Sequence, residues 1–168
     1  MSKLRAQDRL QPALLDRLTD DDPTNPVEAM EMRVISRPRM REAVLRDLSW
    51  LFNTTFLSTG DEFAQYPEVR RSVLNYGLPA LSGQTSSSID AVVLQNKVRT
   101  SILDHEPRIL ADTLKVQVLM SEKQLDHHNQ ISFRISGQLW AQPVPLELLL
   151  QTNIDLETGQ VEIKTLAN

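Results

Sequence analysis

Reactive and ion-pairing side chains are most concentrated in one stretch, Asp104-His105-Glu106-Pro107-Arg108. In extended backbone, residues two apart share a face, so Glu106 and Arg108 present a carboxylate and a guanidinium side by side. The planar fork of arginine suits bidentate recognition of a carboxylate or of backbone carbonyls, so the pair could hold another chain. The other reading is a Glu and an Arg that satisfy each other and nearby loop carbonyls. Glu106 with Asp104 or Asp112 could be set out as a glycosidase-like carboxylate pair. Arg108 beside Glu106, however, favours the charged carboxylate, the wrong state for a general acid. His127-His128 lies in a polar stretch, and no Asp/Glu/His set at ligand spacing supports a metal site there. No serine sits in a nucleophile elbow, there is no phosphate loop, and five glycines leave little material for a strained active-site loop. Neither an enzyme nor a cofactor nor a small-molecule substrate is expected.

This stretch is a joint between two kinds of backbone, because a helix period stops there and a strand period begins. Pro107 disfavours the α region at Glu106, so the preceding helix must end at about His105. That helix carries Leu94, Val98 and Ile102 on one stripe, with Ile89 and Val93 alongside. Ser87 followed by Asp90 resembles a capping arrangement for it. An earlier helix spans about 36–54, with Ser36 as cap, Pro38 in the first turn, and Met40, Val44, Leu48, Leu51 and Phe52 on one face. Arg37, Arg39, Arg41 and Arg46 flank that face, which reads as solvated, with Arg46 or Asp47 in a local ion pair. Asn53-Thr54-Thr55 should stop it. A shorter helix opens at Pro67-Glu68, with Val69 and Val73 facing inward and Gly77 ending it.

Beyond Arg108 the period becomes 2. Leu114, Val116, Val118 and Met120 alternate with polar neighbours. So do Ile131, Phe133, Ile135 and Leu139, then Val144, Leu146, Leu148 and Leu150, and finally Val161 and Ile163. Ser121–Asn129, Gln142-Pro143 and Asp155–Gly159 are the turns between them. The fold class is therefore α+β, with N-terminal helices packed on the apolar face of a C-terminal four-stranded antiparallel sheet. Pro143 and Pro145 place the start of the third strand at an edge or a bulge.

At 168 residues the chain fits one domain with an arm. Residues 1–30 form that arm and an acidic linker, and 31–168 form the domain. In the arm, Leu14, Leu15 and Leu18 make a short helical stripe too brief to stand alone, so it docks on the body or on a partner. Asp20-Asp21-Asp22-Pro23 behind it is a solvated breaker. A net charge of −4 argues against nucleic acid. The absence of cysteine closes disulfide, thiolate-zinc and thiol-nucleophile chemistry. No run approaches a membrane span and no apolar signal core follows Met1-Ser2-Lys3, so a cytoplasmic protein without membrane insertion is expected.

Several stretches in order resemble one family, the phage-baseplate wedge proteins and their type VI secretion counterpart, TssE. Leu14-Leu15-Asp16-Arg17-Leu18 resembles the leucine-rich opening of the secretion branch. Arg46-Asp47-Leu48 running into Leu51-Phe52-Asn53-Thr54 is similar to its first long helix. Pro67-Glu68-Val69 and Ser72 through Pro79 match its next segment, and Glu106-Pro107-Arg108 is the motif by which the family is usually recognised. Phe133-Arg134-Ile135 to Val161-Glu162-Ile163 fit its sheet. Ala80 departs from the pattern, which has an acidic residue before Leu81. The resemblance implies a structural baseplate subunit that joins a wedge with TssF and TssG and helps to start the sheath of TssB and TssC by strand pairing. It implies that Glu106, Pro107 and Arg108, with Leu14, Leu15 and Leu18, bind partners. The family is often labelled lysozyme-like, which the glutamate–arginine pairing above opposes. The alternative is a regulatory adaptor or anti-adaptor of the same fold.

Overall fold

The computed structural model describes residues 13–19, 24, 35–57, 65–83, 89–119, 130–141 and 144–166. Helices come first: α1 (Leu14–Leu18), α2 (Arg37–Phe52), α3 (Pro67–Arg70), a 3-10 turn (Val73–Asn75) and α4 (Ala91–His105). The strands β1 (Lys115–Leu119), β2 (Gln130–Leu139), β3 (Leu146–Asp155) and β4 (Val161–Thr165) follow. They form one antiparallel sheet in chain order, as the alternating pattern predicts. Pairing of Val116 with Ile135, Ile135 with Leu150, and Phe133 with Thr152 aligns the apolar side chains on one face. The α2 stripe (Met40, Val44, Leu48, Leu51, Phe52) and the α4 stripe (Leu94, Val98, Ile102) close over that face to make the core. Thr152, buried in the same layer, donates its hydroxyl to the Phe133 carbonyl at 3.5 Å, so its polar atom is not stranded.

The boundaries of α2 follow from its side chains. Ser36 Oγ accepts from Arg39 N at the start, with Pro38 in the first turn. At the end, Asn53 does more than stop the helix. Its side-chain amide donates to Ser49 O and Val161 O, and its carbonyl oxygen accepts from Val161 N. One residue thus closes α2 and clips it to the first residue of β4.

Four expectations need correction. The second helix is only α3, four residues long, followed by the 3-10 turn. Ser72 Oγ accepts from Leu74 N, and the Asn75 amide donates to Arg70 O, so local side-chain bonds compete with the helix. As a result Val73 is 81% exposed rather than inward, and Val69 is half-buried. Gly77 is no helix cap. At φ +127° it lets Leu78 pair with the chain leaving α2, through Leu78 N to Thr54 O and Phe56 N to Leu78 O, where a Cβ would sit 2.2 Å from Thr54 O. The cap of α4 is Asp90 itself, accepting from Val92 N and Val93 N, and Val93 is exposed rather than beside the stripe. The third strand does begin at an edge, as Pro143 and Pro145 require, since β4 pairs only with Leu150–Ile154 of β3; the last correction is that it starts only after Pro145. Val144 precedes the strand and is exposed.

The Asp155–Gly159 turn is as expected, with Asp155 Oδ1 accepting from Glu157 N and Thr158 N and Gly159 at φ +74°. Those two backbone bonds hold the Asp155 carboxyl below the usual carboxylate range. Met120, the Ser121–Asn129 turn with His127-His128, Gln142-Pro143, Ser87 and the acidic run Asp20-Asp21-Asp22 lie outside the described residues. Among the described residues no helix is long and apolar enough to cross a membrane.

Candidate functional site

Pro107 ends α4 where the sequence says it must, and Glu106 is the C-cap, its N–H still donating to Ile102 O. The chain turns through Pro107 and Arg108, with Ile109 N donating to Glu106 O. It is then stitched to the end of β2 by Trp140 N to Arg108 O and Leu110 N to Gln138 O. The elbow is therefore fixed on both sides by backbone bonds, which sets the two side chains in register.

Glu106 is 3% exposed. Its Oε1 accepts from Arg108 N at 3.1 Å and Arg108 Nε at 2.7 Å, and its Oε2 accepts from Arg108 Nη2 at 2.5 Å. The expected side-by-side pair exists, and it closes on itself. The same Nη2 also donates to Asp47 Oδ2 on α2 at 2.5 Å. Asp47 Oδ1 accepts from Arg46 Nε at 3.0 Å, and Arg46 Nη1 donates to Asp16 Oδ1 on α1 at 2.5 Å. Five charges of alternating sign thus run from the elbow across α2 to the arm. Burial works against the Arg108 cation, but the hydrogen bonds and charges of Glu106 and then Asp47 outweigh it and raise its pKa. Arg46 is raised chiefly by its bond to Asp16.

Beside this chain of charges lies a cleft of about 450 Å³, walled by Leu48, Trp50, Leu51, Tyr76 and Pro107 and reaching Ala13 at the start of α1. Arg46 lies over the Trp50 ring, 5.1 Å from its centroid. The Tyr76 ring meets His105 edge-on, and its hydroxyl donates to Asp47 O at 3.3 Å. The Tyr76 phenol is pushed up by burial and then by the charges of Asp47 and Glu106. On α1, Leu14 and Leu18 are about three-quarters exposed and Leu15 about half. The arm touches the body through Asp16 while its leucines face solvent. Asp104, the other acid weighed for carboxylate chemistry, is paired with Arg71 at 3.1 Å, and Asp112 sits exposed in a turn.

A family model described as baseplate wedge protein gp25 matches residues 38–144. The chain belongs to that family. Neither the comparison with curated proteins nor that with solved structures returned a match. Membership gives this wedge protein a structural role in a baseplate, among other baseplate components. The matched span runs from α2 through the elbow to the end of β2, so it contains Glu106, Pro107 and Arg108 but not the arm.

The two margins of this wedge protein's sheet differ. Along β1, Val118 N points outward and donates to Gln95 Oε1 of α4, which packs beside that strand. Along β4, Asn53 takes both outward groups of Val161. Antiparallel ladders alternate inward and outward bonding, so the outward groups further along belong to Ile163 and Thr165. Among the described residues those groups have no hydrogen-bond partner.

Sequence reasoning found Glu106 and Arg108 and the local Arg46–Asp47 pair, but not Asp16, Tyr76 or the link from Asp47 to Arg108. The α2 pattern held the only hint, an acid at position 47 one residue from the core-facing Leu48. The remaining arginines of the α2 flank are spread over the surface; Arg41 donates to Glu147 O at 2.9 Å, tying α2 to the start of β3. Among the described residues no group of His, Asp and Glu could hold a metal.

Proposed function

We propose that this chain is the TssE-like wedge subunit of a type VI secretion (contractile injection) baseplate, working in the cytoplasm. Residues 1–30 act as an arm on a wedge domain of residues 31–168. The elbow of Glu106, Pro107 and Arg108, together with Leu14, Leu15 and Leu18, forms the contact with TssF and TssG. The sheet accepts a strand from the sheath proteins TssB and TssC, joining the wedge to the first sheath ring. The observation that carries this reading is the arm itself: a five-residue helix held by Asp16 that turns all three leucines to solvent beside the elbow. Each such leucine gains about 1.5–3 kcal/mol when a surface covers it fully. The free outward groups at Ile163 and Thr165 support strand addition at β4, since main-chain bonds at a sheet edge recruit an extended segment.

The test is capture of TssF and TssG by the full chain carrying Leu14→Asp and Leu18→Asp together. Both side chains are exposed, so the variant keeps the melting temperature of the parent. Capture is expected to fall by at least about tenfold, the loss of one well-buried leucine contact. Capture equal to that of the parent chain would overturn the proposal.

A further inference from the structure

We infer that Asn53 is a register stop: its side-chain amide fills the first rung on the outer margin of β4 and confines an added strand to Ile163 and Thr165. This rests on the reading of β4 as the margin that accepts a strand. It gives a specificity-determining role to a residue that otherwise only closes α2 and clips it to the sheet. The even-numbered residues of β4 bond inward, since Gln160 O accepts from Asp155 N just before the strand and Leu166 N donates to Leu149 O just after it. The outward rungs are therefore Val161, Ile163 and Thr165. Asn53 Nδ2 donates to Val161 O at 3.0 Å, and Asn53 Oδ1 accepts from Val161 N at 2.9 Å. One donor and one acceptor on a planar amide reproduce the two bonds that a strand residue would make at that rung.

The filled rung is anchored. Asn53 is the C-cap of α2, its backbone N–H and its Nδ2 both donate to Ser49 O, and Leu51 and Phe52 just before it are buried in the core. An incoming strand would have to break both bonds between Asn53 and Val161 to gain that rung. The outward groups of Ile163 and Thr165, by contrast, have no hydrogen-bond partner among the described residues. Alternation of side chains cannot set the register alone. A slip of one residue turns every side chain of the added strand to the wrong face, but a slip of two leaves each on its own face. Only a fixed end to the ladder separates two registers that differ by two, and Asn53 supplies that end.

The experiment joins a strand of about seven alternating valine and threonine residues to the C-terminus of the full chain. About ten residues of glycine and serine link the two, enough to leave the register free. Amide exchange at Val161, Ile163 and Thr165 is followed by NMR, with and without the extension, in the parent chain, Asn53→Ala and Thr54→Ala. In the parent, the extension is expected to slow Ile163 and Thr165 about fivefold, the effect of one hydrogen bond, and to leave Val161 unchanged. In Asn53→Ala, Val161 exchanges faster alone and is slowed about fivefold by the extension, because the vacated rung joins the ladder. Thr54→Ala removes the bond from Thr54 Oγ1 to Trp50 O at the same helix end without touching β4, and should behave as the parent. If Val161 in Asn53→Ala ignored the extension, or responded equally in Thr54→Ala, the inference would be overturned, the latter because a loosened helix end would then suffice. Both of those results keep the slowing at Ile163 and Thr165. No slowing at any of the three amides in any chain would instead remove strand addition at β4, and the stop with it.

Discussion

An acid and a base two residues apart across an apolar residue is a pattern this chain writes four times. Glu106-Pro107-Arg108 at the elbow and Glu162-Ile163-Lys164 on β4 are the two that lie outside the helices among the described residues. Both pairs close, at 2.5 Å in the elbow and 3.0 Å on β4. At the elbow the acid is 3% exposed and the base 24%; on β4 the figures are 64% and 58%. The elbow pair also has a third member, Asp47 from α2, while the β4 pair lies on the wet face of an edge strand. In extended backbone this spacing makes an ion pair, but burial decides what the pair does. In the elbow a sealed carboxylate must keep its arginine, so the pair fixes the joint between helices and sheet. On β4 the same spacing puts charge on an exposed edge strand, the device by which sheets discourage indiscriminate edge pairing.

The comparison breaks most sharply at Arg108. Arg108→Ala leaves Glu106 buried with only the residue-108 N–H to satisfy it, and is expected to cost about 3 kcal/mol of unfolding free energy, the low end for a broken buried pair. Urea denaturation measures this, and a loss below about 1 kcal/mol would place the elbow with surface pairs. Next in size is Asn53→Ala, which removes the clip between α2 and Val161. A loss of about 1–2 kcal/mol is expected from two part-buried hydrogen bonds, with faster amide exchange at Val161 as the local signature. The smallest effect belongs to the β4 pair. Glu162→Gln and Lys164→Ala should each stay within about 0.5 kcal/mol, with a coupling energy near zero in a double-mutant cycle. A coupling there as large as that between Glu106 and Arg108 would erase the distinction drawn from burial.

Much of this was legible from residue order because the signals are local. Ser36, Pro38 and the Met40-to-Phe52 stripe bound α2, Pro107 ends α4, and the period-2 runs give four strands in meander order. Where the sequence reading failed, short-range competition or long-range contact decided. Ser72 and Asn75 bond to nearby backbone and cut the second helix short, although Val69 and Val73 keep a helical spacing. Gly77 reads as a cap from its neighbours, but its positive φ serves the approach of Thr54 from the end of another helix.

The class of the fold, the place of the joint, and the closeness of Glu106 to Arg108 follow from residue order alone, since each depends on residues within a turn or a strand repeat of one another. The surroundings of that pair come from packing. Asp47 lies 61 residues from Arg108, and Asp16 lies 30 from Arg46. No local periodicity encodes such partners, because they meet only once α1, α2 and the elbow are packed. The same packing buries the acid and spends most of the donors of Arg108 inside the protein, so the role of the pair is set by which side chains the core brings together.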